Sequence, residues 1–253
     1  AKAAELRAQG KNIIGLGAGE PDFDTPDHIK DGGIKAIQNG QTRYTPVDGT
    51  PDLKKAIIEK FKTDNGLEYE MNQVMVSCGG KQTFYNLAQA ILNDGDEVII
   101  PAPYWVSYPD MTLLAGGVPV IVEAGKDQNY KITPEQLEAA ITDKTRLFVI
   151  NSPSNPSGVA YTAAELKALA EVLLKYPQVV IATDDMYEKI WWMDEPFSNI
   201  LMVCPELYDR TMVLNGVSKA YAMTGWRIGY IAGPATIVGA MKKIQSQSTS
   251  NPA

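Results

Sequence analysis

The 253 residues carry 23 Lys and Arg against 30 Asp and Glu, a formal net charge of −7, with 45% hydrophobic and 21% charged residues. A chain of this length buries roughly 75% of its unfolded surface, enough for one large domain or two small ones, and its ordinary globular composition excludes disorder, collagen and coiled coil. The acidic balance offers no field for nucleic acid or an acidic membrane face, no run approaches the ~18 apolar residues of a membrane span, and no signal-like segment opens the chain.

Two cysteines, Cys78 and Cys204, form neither a disulfide framework nor a metal pair, which suits a reducing cytoplasm. His28 is the only histidine, so a Ser-His-Asp triad or a histidine-rich metal site has little room, and no metal is expected. The chain starts at Ala1 and stops at Ser250-Asn251-Pro252-Ala253, directly after a helical pattern, so a fragment of a longer protein is expected.

Near the start, Gly15-Leu16-Gly17-Ala18-Gly19 precedes Glu-Pro-Asp rather than a helix and lacks the third glycine of a dinucleotide site. Asp31-Gly32-Gly33 lies in the first helical pattern, and at about 1 kcal/mol per glycine that helix is expected to fray. No repeat, low-complexity tract or linker divides the chain; the nearest seam is Tyr44-Thr45-Pro46-Val47-Asp48-Gly49-Thr50-Pro51.

Beyond the seam, β-branched runs predict strands over Gln73 to Ser77, Glu97 to Ile100, Val118 to Val122, Arg146 to Ile150, Val179 to Thr183, Thr211 to Leu214 and Ile228 to Ala232. Helices are predicted over Lys81 to Leu92, Ala163 to Lys175 and Ala235 to Gln247, the second opening on a capping box of Thr162 and Glu165. This alternation predicts an α/β fold, a mostly parallel seven-stranded sheet with helices on both faces. Ligands in such sheets sit at the carboxyl ends of the strands.

The first strand leads into Ser77-Cys78-Gly79-Gly80-Lys81-Gln82. Paired glycines before a helix make a phosphate seat, the alternative being a plain tight turn. The second ends in Pro101-Ala102-Pro103-Tyr104-Trp105, where Trp105 is either a stacking platform or a core or rim aromatic. After the fourth come Asn151 and Asn155 in proline-rich turns, which can fix an amide donor or cap the next helix. The fifth runs into Asp184-Asp185-Met186-Tyr187. A carboxylate there wants a cationic partner, and a salt bridge to a nearby Lys or Arg is the plain alternative to a ligand.

The sixth strand carries Ser218-Lys219 among small residues, which favours a partly desolvated, nucleophilic amine over a solvated surface lysine. Arg227 follows eight residues on, with a fork suited to phosphate. Five strand ends thus offer a phosphate seat, a stacking ring, an amide, a buried acid, and a Lys with an Arg. Together they describe a pocket for pyridoxal phosphate held on lysine.

The run from Ile14-Gly15-Leu16-Gly17-Ala18-Gly19-Glu20-Pro21-Asp22 through Asn155-Pro156, Asp184-x-x-Tyr187, Ser218-Lys219 and Met223-Thr224-Gly225-Trp226-Arg227-Ile228-Gly229 resembles the class I aminotransferases of the aspartate aminotransferase fold family, most closely their bacterial aspartate and prephenate branch. The resemblance implies that Lys219 is the Schiff-base lysine and general base and acid, that Asp184 partners the pyridine nitrogen, and that Tyr187 and Asn155 serve the phenolic oxygen. It implies ring stacking by Trp105, phosphate contacts from Gly80, Lys81, Ser218 and Arg227, and a substrate end at Gly19, shared with Trp105 and Asn155. Tyr44 matches a tyrosine that reaches the neighbouring subunit's phosphate, which implies a homodimer.

By the same resemblance, residues 1–43 contribute to a small domain and residues 44–253 form the cofactor-binding large domain. The second, smaller domain is incomplete, since the arginine for the substrate α-carboxylate lies beyond Ala253. Many relatives carry Asn-Asn-Pro-Thr-Gly where this chain has Ser154-Asn155-Pro156-Ser157-Gly158; the key Asn is kept. The implied activity is transamination between aspartate or glutamate and 2-oxoglutarate, oxaloacetate or prephenate. The alternatives are a lyase of the same fold, a non-catalytic aminotransferase-like effector domain and, more weakly, a nicotinamide dehydrogenase.

Overall fold

The computed structural model describes residues 2–15, 17 and 19–252. Seven strands form one sheet: β1 (Val74–Cys78), β2 (Glu97–Ala102), β3 (Val118–Glu123), β4 (Thr145–Asn151), β5 (Val180–Asp184), β6 (Thr211–Gly216) and β7 (Ile228–Ala232). Each expected strand is found, shifted by at most a few residues. Their order is β1-β7-β6-β5-β4-β2-β3. All pairings are parallel except those of β7, which runs antiparallel to both β1 and β6.

Near-continuous apolar runs form these strands because both faces are covered. Val76, Ile99, Phe148, Ile150, Ile181 and Val213 point to one side, against α3 (Pro51–Asn65), α6 (Pro134–Ala140), α7 (Ala163–Leu174) and α8 (Ile200–Val203). Met75, Val98, Leu147, Val149, Met212 and Leu214 point to the other, against α4 (Gly79–Ile91), α5 (Ser107–Leu114) and α9 (Ala235–Ser248). Strand alternation therefore writes two cores with one set of strands.

Local signals set the helix ends. Thr50 accepts the Leu53 N–H to start α3, Pro51 follows at the first helical position, and Gly66 closes the helix at φ 64. The capping box of Thr162 and Glu165 opens α7 as expected. Neither Asn151 nor Asn155 caps this helix.

The N-terminal stretch holds α1 (Lys2–Ala8) and α2 (Asp27–Gln38), and neither helix buries a residue. The expected fraying at Asp31-Gly32-Gly33 is not found, for α2 runs unbroken through it. A Cβ on Gly33 would lie 2.8 Å from the Trp226 ring, so the glycine lets the helix meet that indole, a packing gain that offsets its poor propensity. Trp226 Nε1 in turn donates to Thr25 Oγ1 at 3.1 Å, and Thr25 donates to the Ala222 carbonyl at 2.6 Å.

Candidate active site

A cavity of about 620 Å³ opens at the carboxyl rim of the parallel strands, and ten of the eleven expected site residues line it. Tyr44 is the exception: it is fully exposed and stands outside the cavity of its own chain.

At the end of β1 the chain turns through Gly79, φ 79, into α4. A Cβ on Gly79 would lie 2.1 Å from Arg227 Nη2, and one on Gly229 would lie 2.4 Å from the backbone of Gly79 and Gly80. Glycine at these places lets the guanidinium settle over the turn that opens α4, where the first N–H groups have no intrahelical partner. Arg227 adopts φ 57 and ψ 49, a left-handed conformation that costs a non-glycine residue roughly 1–2 kcal/mol. Its Nη1 donates to the Thr224 carbonyl at 2.7 Å. Lys81 is exposed on the rim with Nζ 5.3 Å from the Trp105 ring centroid.

After β6, Ser218 is buried and Lys219 half-buried. Lys219 Nζ donates to the Gly19 carbonyl, which brings the N-terminal segment to the cavity. Burial lowers the Lys219 pKa first; Glu20 opposes this and Arg227 reinforces it, so the neutral amine is favoured relative to a solvated lysine.

Asp184, at the end of β5, is 9% exposed. Its Oδ2 accepts from the Tyr108 hydroxyl at 2.5 Å and its Oδ1 from the Met186 N–H at 3.2 Å. Among the described residues no Lys or Arg forms a salt bridge with it, so the plain structural reading of this carboxylate is not met. Burial raises its pKa, while the bonds from Tyr108 and Met186 work the other way. A buried acid without a cation, facing a cavity, is a seat for a cationic group of a ligand.

Asn155 Nδ2 donates to the Tyr187 hydroxyl at 3.2 Å, so amide and phenol converge. Asn151 holds them to the sheet: its Oδ1 accepts the Asn155 N–H at 2.8 Å and its Nδ2 donates to the Asp184 carbonyl at 2.8 Å. Trp105, beyond β2, packs edge-on against Tyr108 with centroids 5.3 Å apart and planes at 88°, which orients it toward the cavity it lines.

Sequence reasoning missed Tyr108 and the bracing role of Asn151. Tyr108 sits in the first turn of α5, its N–H donating to the Trp105 carbonyl at 3.1 Å, and its helical context did not set it apart from a core aromatic. Asn151 was visible as an amide at a strand end, but its work is to brace Asn155 and Asp184.

The chain matches the family described as aminotransferase class I and II over residues 11–253, and it belongs to that family. It is 65% identical to an aspartate/prephenate aminotransferase from Nitrosomonas europaea over 252 residues and 63% identical to one from Cereibacter sphaeroides over 251, covering 100% and 99% of this chain. The chain spans 64% and 63% of the length of those relatives. Among solved structures, the aspartate aminotransferase from Rhizobium meliloti superposes with a TM-score of 0.96 at 52% identity, covering 100% of this chain and 63% of that one. The enzyme of the same name from Thermus thermophilus, solved with maleate, gives 0.94 at 45%, covering 99% and 64%. These likenesses bear out the expected architecture, a mostly parallel sheet between helices.

Proposed function

We propose that this chain carries the cofactor pocket of a transaminase that uses pyridoxal phosphate to move an amino group between an amino acid and a 2-oxo acid. The observation that carries the reading is the pairing, across one cavity, of a buried carboxylate lacking a cation with a half-buried lysine of lowered pKa. The donor set fits the cofactor: an anion seat at Gly80, Lys81, Ser218 and Arg227, an acid for a protonated ring nitrogen, two polar groups for a ring oxygen, and a flat indole. When bound, pyridoxal phosphate supplies an aldehyde that condenses with amines and a ring that accepts the electron pair left by Cα–H cleavage.

The residues of this chain do the rest. Lys219 presents an amine whose neutral form burial favours, and its Nζ would take the Cα proton and later return it. Asp184 keeps a proton on the ring nitrogen by holding its own negative charge in a buried place. Tyr187 and Asn155 would donate to the ring oxygen and favour its deprotonated form. Trp105 would stack on the ring and shield one face from water. Gly19 faces the substrate end.

Aspartate or glutamate is the amino donor in this reading, with 2-oxoglutarate, oxaloacetate or prephenate as acceptor; aspartate and prephenate agree with the names of the relatives, and a dicarboxylate agrees with the maleate in the Thermus thermophilus structure. Residues 44–253 form the large domain in this reading and residues 1–43 belong to a small one, which agrees with α1 and α2 burying nothing and with exposed Ile34 and Ile37 on α2. The fully exposed Tyr44 supports a homodimer in which it serves the neighbouring subunit's pocket. The two free cysteines agree with a cytoplasmic location; among the described residues, no helix is long and apolar enough to cross a membrane.

Adding pyridoxal phosphate and scanning the visible spectrum tests the reading. A band that titrates with pH and is absent from Lys219→Ala is expected, and a wild-type protein without any band sinks it. Screening amino acids for loss of the aldehyde-form absorbance then separates aspartate from other donors. Release of ammonia without conversion of the cofactor to its amine form would favour a lyase.

A further inference from the structure

The turn after β5 faces two ways. Asp184, Met186 and Tyr187 line the cavity, whereas Asp185 and Glu188 are buried on its back side. Glu188 closes a triangle with α3: Lys60 Nζ lies 2.5 Å from Glu188 Oε1 and donates to Asn65 Oδ1 at 2.7 Å, and Asn65 Nδ2 donates to Glu188 Oε2 at 3.2 Å. Asp64 flanks Lys60 at 4.0 Å and is itself paired with Lys189 at 2.9 Å. Asp185 makes a second anchor, accepting from Thr183 Oγ1 at 2.7 Å and from Asn199 Nδ2, at the start of α8, at 2.6 Å. Between the anchors, the Glu188 N–H donates to the Asp185 carbonyl at 3.0 Å and the Ile190 N–H to the Tyr187 carbonyl at 2.8 Å.

A buried ion pair is a poor device for stability, because well-packed apolar residues of similar volume usually do as well or better. What it supplies is a unique geometry, since each partner has a few directed bonds to satisfy. Here the geometry it fixes is that of the residue next to Glu188. Tyr187 must hold its hydroxyl at Asn155 from a turn with little regular structure of its own.

We propose that Glu188, clamped by Lys60 and Asn65 of α3, is a positioning residue that acts through Tyr187 and sets the phenol at the place where it meets the cofactor. This rests on the reading of Tyr187 as a cofactor partner. Glu188 does not line the site cavity, so its effect passes through the turn and not through contact.

The test is a double-mutant cycle of Glu188→Gln and Tyr187→Phe in the protein loaded with pyridoxal phosphate. It reads the cofactor dissociation constant, the pH midpoint of the visible band and, as a control, stability to urea. Glu188→Gln is expected to weaken cofactor binding on the order of tenfold and to raise the midpoint, as loss of the Tyr187 donor does. In the Tyr187→Phe background it should add nothing to either. Should Glu188→Gln leave too little folded protein, Lys60→Met with Glu188→Leu removes both charges together and should give the same raised midpoint. Additive effects, or a loss of stability with affinity and midpoint unchanged, would overturn the proposal while a normal wild-type band left the cofactor reading intact. A wild type with no band would overturn both.

Discussion

Replacing Asp184 by Asn should lower the affinity for cofactor, while the stability of the apoprotein gains on wild type as pH rises. The carboxylate is buried, and among the described residues it accepts from the Tyr108 hydroxyl and the Met186 N–H. The amide can keep the bond from Tyr108 through its oxygen, but its NH₂ then faces the Met186 N–H, a loss of about 1 kcal/mol. Against this stands relief from burying a charge. Burial raises the Asp184 pKa, so folding takes up a proton between the unfolded and folded values, and the wild-type apoprotein loses stability as pH rises through that window. The variant has no such loss. It should be slightly less stable than wild type in mild acid and should gain on it as pH rises.

With cofactor present the balance reverses. Asn cannot pair with a protonated ring nitrogen, and removing one partner of a buried, hydrogen-bonded pair costs about 3–5 kcal/mol. At roughly 1.4 kcal/mol per tenfold, affinity should fall on the order of 10² to 10³. Urea unfolding of the apoprotein at mildly acid and mildly alkaline pH gives the first quantity. Titration with pyridoxal phosphate, followed by quenching of tryptophan fluorescence, gives the second, since Trp105 lines the cavity. An apoprotein that is markedly less stable at both pH values, with cofactor affinity unchanged, would refute the reasoning and make Asp184 a structural acid.

Gly229→Ala places a Cβ 2.4 Å from the backbone of Gly79 and Gly80, which cannot yield without parting β1 from β7. About 3 kcal/mol of stability should be lost, with weaker cofactor binding as the turn at Gly80 moves, and an unchanged melting temperature would show that the close approach is not needed. Asp185 is pushed by burial from 3.8 up to about 7, against the donors Asn199 and Thr183. Ionising a carboxyl so placed costs roughly 4 kcal/mol, so its contribution to stability falls as pH rises from its ordinary value to its folded one. Asp185→Asn should therefore gain on wild type across that window in urea midpoints, and parallel pH profiles would show that Asp185 does not bear the cost.

What was legible in the sequence was local. Gln73 to Ser77, Arg146 to Ile150 and Thr211 to Leu214 read as strands because burial on both faces demands largely apolar, often β-branched runs. Lys219, Asp184, Asn155 and Arg227 stood out because they interrupt or follow such runs where a charge or amide is costly without a purpose. Tyr108 escaped because an aromatic in a helix usually belongs to the core, and only the fold shows its hydroxyl against Asp184. The continuity of α2 escaped because Gly33 meets an indole far along the chain, Trp226. The ion pair of Lys60 with Glu188 was equally invisible, since charge pairing between distant segments leaves no periodic trace.

The one reversed strand has a functional consequence. Across the rim, the groups follow the sheet order: Gly80 and Lys81 after β1, Arg227 before β7, Lys219 after β6, Asp184 and Tyr187 after β5, Asn155 after β4, Trp105 after β2. β1, β2, β4, β5 and β6 reach the cavity with their carboxyl ends, and β3 at the sheet edge adds nothing to its lining. Had β7 been parallel, Arg227 would lie at its far end, about 17 Å away for five residues at ~3.3 Å each. Running it antiparallel sets its first residue at the cavity, beside the glycine turn that starts α4, and the left-handed backbone at Arg227 makes the sharp entry. The proposed anion seat is thus assembled from the end of one strand and the beginning of its neighbour, where Gly79, Gly80 and Gly229, each too close to backbone or guanidinium or Met186 for a Cβ, meet.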